Sequence, residues 1–210
     1  NNNKRYNFRV NNGFQLSPRL KLESSISYNR QDQVAPTNIG DILTANYPMP
    51  GLPVETIDGK PYAWGTWESP ALKAELGGDN KLRVSSLNIS ETLTYDIIEG
   101  LKANVNLGYN TSSANRTKSS HSIDYYNYAG TKVVRTSPLQ EKSYYSQTNA
   151  QTNFYSVSGY LDYTKTLAEV HNFTVMGGAE YQKTEFSRFG AKAEDTNPSL
   201  DALLGSGTIT

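Results

Sequence analysis

The sequence predicts an all-β fold, built as an antiparallel up-and-down meander of about six strands. Two observations predict it. Apolar and polar residues alternate over several long runs, so that each run has one apolar face. Tight turns and loops of tens of residues alternate between the runs, which is typical of transmembrane β-barrels. Since a barrel of roughly eight strands is already filled by side chains, we expect an arc of a larger barrel, with short helices in its long extracellular loops.

The first hairpin consists of two runs, about 5–16 and 20–30. Both alternate, and the turn between them is Ser17-Pro18-Arg19. Proline fixes the backbone of a turn and cannot continue a central strand. The two runs are therefore expected to pair closely at this end.

The first long loop follows and is rich in proline, glycine and aromatic residues. A loop of this length in a compact domain often carries function. Within it, residues 69–77 predict a short helix, because Ser69 can cap it, Pro70 suits its first turn and Gly77 ends it.

The third run, 82–97, changes parity, since its apolar residues are even-numbered at first and odd-numbered from Leu87. We interpret this as a β-bulge near Ser85-Ser86. Glu91 has the parity of the apolar face, where a charge facing lipid is costly. A tight turn at Gly100 leads into the fourth run, whose alternation fades from residue 111. Its apolar members are Leu101, Ala103, Val105, Leu107 and Tyr109.

The second long loop is rich in tyrosine and extends to about residue 151. The fifth run then ends near 166, and a short turn containing Glu169 and His171 precedes a sixth run over 172–183. A further loop follows, with a second capped helical turn expected over 199–204.

Three phrases resemble the barrel of SusC/RagA-type TonB-linked outer-membrane transporters of Bacteroidetes. They are the loop phrase DGKPY (58–62), the strand phrase LKANVNLGYN (101–110) and the ending NPSLDALL (197–204). The resemblance implies nutrient uptake across the bacterial outer membrane, with lipid around the barrel. It also implies a SusD-like surface lipoprotein and TonB as partners, and an oligosaccharide or peptide ligand. The family's N-terminal extension, TonB box and plug domain have no counterpart in residues 1–210, so we expect these residues to form one partial barrel domain.

Composition argues against several other functions. Twenty basic and twenty acidic residues give a formal net charge of zero, which does not favour nucleic-acid binding. Cysteine is absent, and the two histidines are isolated from other metal-ligand residues at suitable spacing. The sequence has no nucleophile elbow, phosphate loop or zinc-protease motif. We therefore expect neither an enzyme nor a cofactor.

Aromatic residues in the long loops are the best candidates for a binding site. Flat rings with polar tips can stack on sugar or peptide and donate hydrogen bonds. The alternative is that they pack the loops against each other. The candidate substrate-binding residues are Tyr62, Trp64, Trp67, Tyr125, Tyr126 and Tyr128.

A second interpretation is an exported soluble all-β module for carbohydrate binding or adhesion. Such a module would bury its apolar strand faces in a core, whereas a barrel wall exposes them to lipid and turns polar faces inward. The many asparagines on the polar faces favour the barrel.

Overall fold

The structure, a computed structural model, describes residues 2–44, 51–65, 67–137, 142–167 and 170–195. These contain ten strands and two short helices. In chain order they are β1 (Asn2–Ser17), β2 (Leu20–Pro36), α1 (Ile39–Thr44), β3 (Ala63–Trp64), β4 (Trp67–Glu68), α2 (Pro70–Leu76), β5 (Asp79–Ile98), β6 (Leu101–Ser120), β7 (Ile123–Tyr126), β8 (Val133–Ser137), β9 (Tyr144–Leu167) and β10 (His171–Glu194).

Six long strands form one antiparallel sheet in the order β1-β2-β5-β6-β9-β10, which confirms the predicted meander. The sheet is an open arc of a barrel wall. The strand ends joined by short connections lie at one end of the sheet: Ser17 and Leu20, Ile98 and Leu101, and Leu167 and His171. The loops carrying β3, β4 and α2, and then β7 and β8, lie at the other. The length asymmetry read from the sequence is therefore a real asymmetry between the two ends of the sheet.

Away from its loop end, the sheet has one mainly apolar and one mainly polar face, and these extend across its strands. Register places Val10 opposite Ile26, Ile26 opposite Ile89, and Ile89 opposite Tyr109. The apolar face is the more exposed one: Leu107 is 47% exposed, whereas the neighbouring Asn104 on the polar face is 8% exposed. This distribution is the reverse of that in a water-soluble domain.

Rows of hydrogen bonds run across the polar face from strand to strand. Asn104 accepts from Thr94 Oγ1 at 3.0 Å and donates to Asp162 Oδ2 at 2.7 Å. One row away, Asn106 accepts from Thr92 Oγ1 at 3.0 Å and donates to Ser158 Oγ at 3.1 Å. Asparagine suits this position because its amide accepts and donates at once. In these two rows the polar side chains therefore satisfy one another.

The bulge predicted near Ser85-Ser86 is wrong. Pairing with β2 and with β6 is continuous through these residues, and the irregularity of β5 lies between Asp96 and Ile98. The parity change has another cause. Leu82 lies on the polar face opposite Gln33 and Arg116, while Arg83 lies on the other face opposite Asp32. Toward the loop end the face that is apolar elsewhere becomes charged, although the backbone remains regular.

Several strands continue beyond their predicted ends. β6 reaches Ser120 rather than fading at residue 111, β9 begins at Tyr144, and β10 extends to Glu194 rather than ending near Lys183. β10 also begins at His171, which pairs with Leu167 instead of belonging to the turn. The ladder needs only backbone groups, so it persists where side-chain alternation has ceased.

The tight turn after β5 requires glycine at position 100. Gly100 has φ +81°, and a Cβ there would lie 2.3 Å from the Thr164 carbonyl oxygen. Both the left-handed backbone and the close approach of β9 exclude a side chain. The turn is therefore built into the contact between neighbouring hairpins.

Candidate functional site

The two long loops pack against each other at one end of the sheet. We call the described residues 51–65, 67–78 and 121–137 the loop unit. The backbone N–H of Tyr126 donates to the Pro61 carbonyl oxygen at 2.8 Å, and Tyr62 forms a parallel bridge with Tyr126. Two small hairpins, β3–β4 and β7–β8, provide its frame. The loops therefore form one structured body.

The predicted helix over 69–77 is confirmed as α2. Ser69 caps it, with its Oγ accepting from Leu72 N at 3.4 Å, Pro70 occupies the first turn and Gly77 lies at its end. The cap directs Leu72 into the loop unit, where it is 5% exposed. The second predicted helical turn, over 199–204, lies outside the described residues.

A small hydrophobic core holds the loop unit together. It consists of Ala63, Leu72, Ile123 and Tyr125. Tyr125 is fully buried, and its hydroxyl has no hydrogen-bond partner among the described residues. Burial, and then the negative charge of Glu68, raise the pKa of this hydroxyl well above its ordinary value. The ring is therefore a neutral packing element.

Glu68 joins the loops electrostatically, and its side chain is only 4% exposed. It accepts from Lys73 Nζ at 2.6 Å and from Ser137 Oγ at 2.8 Å, and it forms an ion pair with Arg135. Burial raises the pKa of the Glu68 carboxyl, but the hydrogen bonds from Lys73, Ser137 and Arg135 outweigh it. The net result is a pKa below the ordinary value. Because Lys73 belongs to the first loop and Arg135 to the second, this carboxylate links both.

The six predicted aromatic residues all lie in the loop unit but differ in exposure. Tyr62 is 8% exposed and Tyr125 is fully buried, so both pack the loops together in this structure. Trp67 and Tyr126 are half-buried. Trp64 is 52% and Tyr128 54% exposed, which leaves these two rings open to a ligand.

Neighbouring groups position several of these rings. Tyr62 and Tyr128 meet edge to face, with centroids 5.8 Å apart and an interplanar angle of 80°. Lys60 Nζ lies 4.8 Å from the centroid of the Tyr126 ring and donates to the Gly130 carbonyl oxygen at 2.9 Å. Trp64 lies directly opposite Trp67 in the β3–β4 hairpin. The surface thus presents polar-tipped aromatic rings on a fixed backbone.

The loop unit is fixed to the sheet where β5 begins and β6 ends. Gly78 has φ +93°, and a Cβ there would lie 2.5 Å from the Ser119 carbonyl oxygen. Ser119 Oγ in turn accepts from Asp79 N at 3.0 Å. The two loops therefore rise from neighbouring strands at a fixed spacing.

Sequence reasoning missed the cluster around Glu68. Arg135 and Ser137 lie 67 and 69 residues after Glu68 in the chain, so no local pattern connects them to it. The outward parity of Glu91 is confirmed: it lies on the apolar face opposite Leu107, and Ser24 Oγ donates to its Oε1 at 2.7 Å. That hydrogen bond lessens the cost of the charge on this face.

No group of three or more metal-ligand residues occurs in the part of the chain that the structure describes. Within that same part, no helix has both the length and the apolar character needed to span a bilayer.

Solved structures with a similar fold include the RagAB peptide importer in the "closed-closed" state and the RagAB peptide transporter. Each match covers 98% of this chain, with a TM-score of 0.70 and 15% sequence identity. The chain spans 23% of the length of the chains it matches. No protein-family model and no curated protein matches it. The fold is thus that of a segment of a RagA-like β-sheet wall.

Proposed function

We propose that this chain forms part of the wall and the extracellular loops of a bacterial outer-membrane transporter of the SusC/RagA type. The transporter would be TonB-linked and would import nutrient fragments. The observation that carries the proposal is the reversal of the two faces. Leu107 and Val157 are each 47% exposed on the apolar face, while the polar face is internally hydrogen-bonded. Lipid on one side and a watery lumen on the other would suit this arrangement.

The dimensions of the apolar face support a membrane location. On β6 its residues run from Leu101 to Tyr109, which is about 27 Å along a strand. A strand tilt of about 40° reduces this to roughly 20 Å across the membrane, close to the apolar band of about 25 Å in such barrels. Tyr109 and Tyr155, with ring centroids 5.2 Å apart, would lie near one interface.

The ligand would be a peptide or an oligosaccharide held at the loop unit. The similar structures are a RagAB peptide importer and a RagAB peptide transporter, which favours a peptide. Trp64 and Tyr128 are the rings best placed to stack on it, because both are exposed on a rigid frame. By the same family resemblance, a SusD-like lipoprotein would cover the loops and TonB would act from the other side. No catalytic step is part of this proposal.

Whole-cell cysteine labelling tests the topology. Residues 1–210 contain no cysteine, so Ile57→Cys in the first loop and Glu99→Cys in the tight turn can be compared in the intact protein after any cysteine outside these residues is replaced by serine. Both positions are exposed. In cells producing the intact protein, we expect an impermeant maleimide to label position 57 but not 99, and both to be labelled after permeabilisation. Equal labelling of both on sealed cells would contradict the proposal.

The competing function is an exported soluble module that binds carbohydrate. It would require a second layer over the apolar face, and no such layer covers that face within the described residues. A protein that remained in the aqueous fraction, with Leu107 protected from solvent, would favour this alternative.

A further inference from the structure

A basic patch lies on the same side of the sheet as the apolar face, toward the loop end. We define it by Lys4, Arg30, Lys81 and Arg83. Register places Lys4 opposite Asp32, and Asp32 opposite Arg83. On the same side of the sheet, Arg30 lies one row closer to the apolar residues, opposite Tyr6 and Ser85. The patch is therefore contributed by three neighbouring strands, β1, β2 and β5.

The acidic residues on this surface neutralise only part of the patch. Asp32 accepts from Arg30 Nε at 2.9 Å and from Arg83 Nε at 2.7 Å, so one carboxylate serves two guanidinium groups. Lys81 Nζ lies 3.5 Å from Asp79 Oδ2. Lys4 forms no ion pair with any described residue. Four cations and two carboxylates leave a net charge of two positive units on this surface.

The patch borders an open groove of about 540 Å³. Lys4, Lys81 and Arg83 line it together with polar residues of the next strands, Asn115, Thr117 and Gln147. Arg83 and Lys81 are more than half exposed, so both can reach a ligand. Each arginine uses Nε for Asp32, which leaves its Nη hydrogens directed elsewhere. Guanidinium groups with free Nη hydrogens are well suited to bind phosphate oxygens.

The distance of the basic patch from the apolar residues, measured along the strands, indicates what kind of ligand it binds. Below Lys4 and Arg83 on the same face lies a row of large apolar side chains, in which Phe8 lies opposite Tyr28 and Tyr28 opposite Leu87. Lys4 and Arg83 lie two rows beyond that row, about 13 Å along the strands. With a tilt of about 40° this is roughly 10 Å above that row. Lipid headgroups begin at the edge of the apolar band, and long lysine and arginine side chains can reach back toward them from this height.

We propose that the basic patch binds the phosphate groups of an anionic lipid in the outer leaflet, whose acyl chains cover the apolar face beneath it. The inference rests on the proposed membrane location. One molecule would then contact the wall twice, through phosphate at the groove and through hydrocarbon along Phe8 and Tyr28. A soluble anion would lack the second contact and would bind more weakly.

Native mass spectrometry of the intact protein in detergent can test this, with diphosphoryl lipid A as the probe. The test variant is Lys4→Gln with Arg83→Gln. The matched control is Arg5→Gln with Arg116→Gln, which removes the same charge at a similar height from the polar face. We expect lipid A affinity to fall on the order of tenfold or more in the test variant and to be unchanged in the control. Lys4→Gln alone should weaken binding in part, and it disturbs no ion pair with a described residue.

Equal loss in the test and control variants, or no loss in the test variant, would overturn the inference. Displacement of lipid A by inorganic phosphate at matched phosphate concentration would also overturn it, because the site would then be a free-phosphate site. Dephosphorylated lipid A binding as tightly as the diphosphoryl form would have the same consequence. Flotation of the protein with vesicles distinguishes the two proposals. Failure to float contradicts the membrane location itself, whereas flotation without phosphate preference contradicts only the lipid site.

Discussion

The sheet and the loop unit follow opposite packing rules within one chain. In the sheet, Leu107 is 47% exposed while Asn104 is 8% exposed and hydrogen-bonded. In the loop unit, Leu72 and Ile123 are each 5% exposed around a fully buried Tyr125. The sheet keeps its apolar side chains outside, and the loop unit keeps them inside as water-soluble domains do.

This contrast agrees with the proposed membrane location, in which the two regions meet different surroundings. Water on all sides drives apolar side chains inward, as in the loop unit. An apolar medium on one side removes that drive, and polar groups must then find partners on the other side. A boundary between the two media would therefore lie along the sheet, between the apolar face and the loop unit.

The largest effect is expected from removing the centre of the loop core. Tyr125→Ala should destabilise the loop unit by about 3 to 5 kcal/mol, the range for deleting a large buried ring. The sheet should persist, because its ladder does not depend on this ring. Hydrogen exchange of amides in β7 and β8, compared with those in β5 and β6, would measure the difference. Tyr125→Phe is the matched control and should be neutral or slightly stabilising, since the hydroxyl has no partner among the described residues. Equal loss in both variants would contradict a packing role.

The next effect distinguishes the two faces of the sheet. Leu107→Arg should destabilise the membrane-inserted protein by about 2 to 4 kcal/mol if the residue lies at mid-depth. Asn106→Arg, one residue away on the polar face, should be tolerated. The free energy of unfolding of each variant can be measured by urea titration in lipid vesicles, with heat-modifiable gel mobility separating folded from unfolded protein. The reverse order would mean that the apolar face is a protein core.

A smaller effect concerns the ligand. Trp64→Ala should weaken ligand binding by about 1 to 3 kcal/mol, by analogy with aromatic stacking elsewhere, without affecting folding. Ile57→Ala is a suitable control, because it removes an apolar side chain that is 76% exposed in the same loop. Uptake of a labelled peptide and surface expression should be measured together. Normal uptake by both variants would make Trp64 part of the loop packing.

The smallest effect should appear on acidification. The folded-state pKa of Glu68 is lowered, so its stabilising contribution is present above the ordinary carboxyl pKa and is lost as the pH falls through the folded value. The loop unit should therefore loosen in acid below about pH 4.5 while the sheet does not. Lys73 and Arg135 are each about a quarter exposed, so water can partly replace the carboxylate. Limited proteolysis over a range of pH would detect the change. In the Glu68→Gln variant, the loop unit should already be loose at neutral pH and should not respond to acid.

The sequence was sufficient to predict the sheet and only part of the loop unit. Apolar residues at every second position, such as Val105, Leu107 and Tyr109, predict a strand wherever its two faces meet different media. The short and long connections between such strands then predicted the meander. Beyond that zone the two faces no longer differ in polarity, as shown by Phe186 and Phe189 on opposite faces of β10, so the ends of β6, β9 and β10 show no alternation. The same loss of contrast made Leu82 look like evidence for a bulge.

The loop unit was harder to predict because its contacts are distant in sequence. A capped helix at Ser69 is a local pattern and was found. The pairing of Glu68 with Arg135 depends on how two loops meet, which composition does not specify. Tyr125 and Trp64 look alike as loop aromatics, yet one is fully buried and the other 52% exposed. Only the tertiary arrangement separates them.

The ion pair between Glu68 and Arg135 also constrains how such a protein can diversify. Each loop supplies part of the core and one side of this charge pair. Exchange of the first loop alone could therefore leave Arg135 without its carboxylate, and exchange of the second alone could leave Glu68 with Lys73 as its one remaining cation among the described residues. Substitutions should therefore occur together, so that a change at Glu68 is accompanied by a change at Lys73 or Arg135. A chimera that exchanges both loops together should retain a folded surface, and under the proposed function a new ligand specificity would come from replacing the loop unit as a whole.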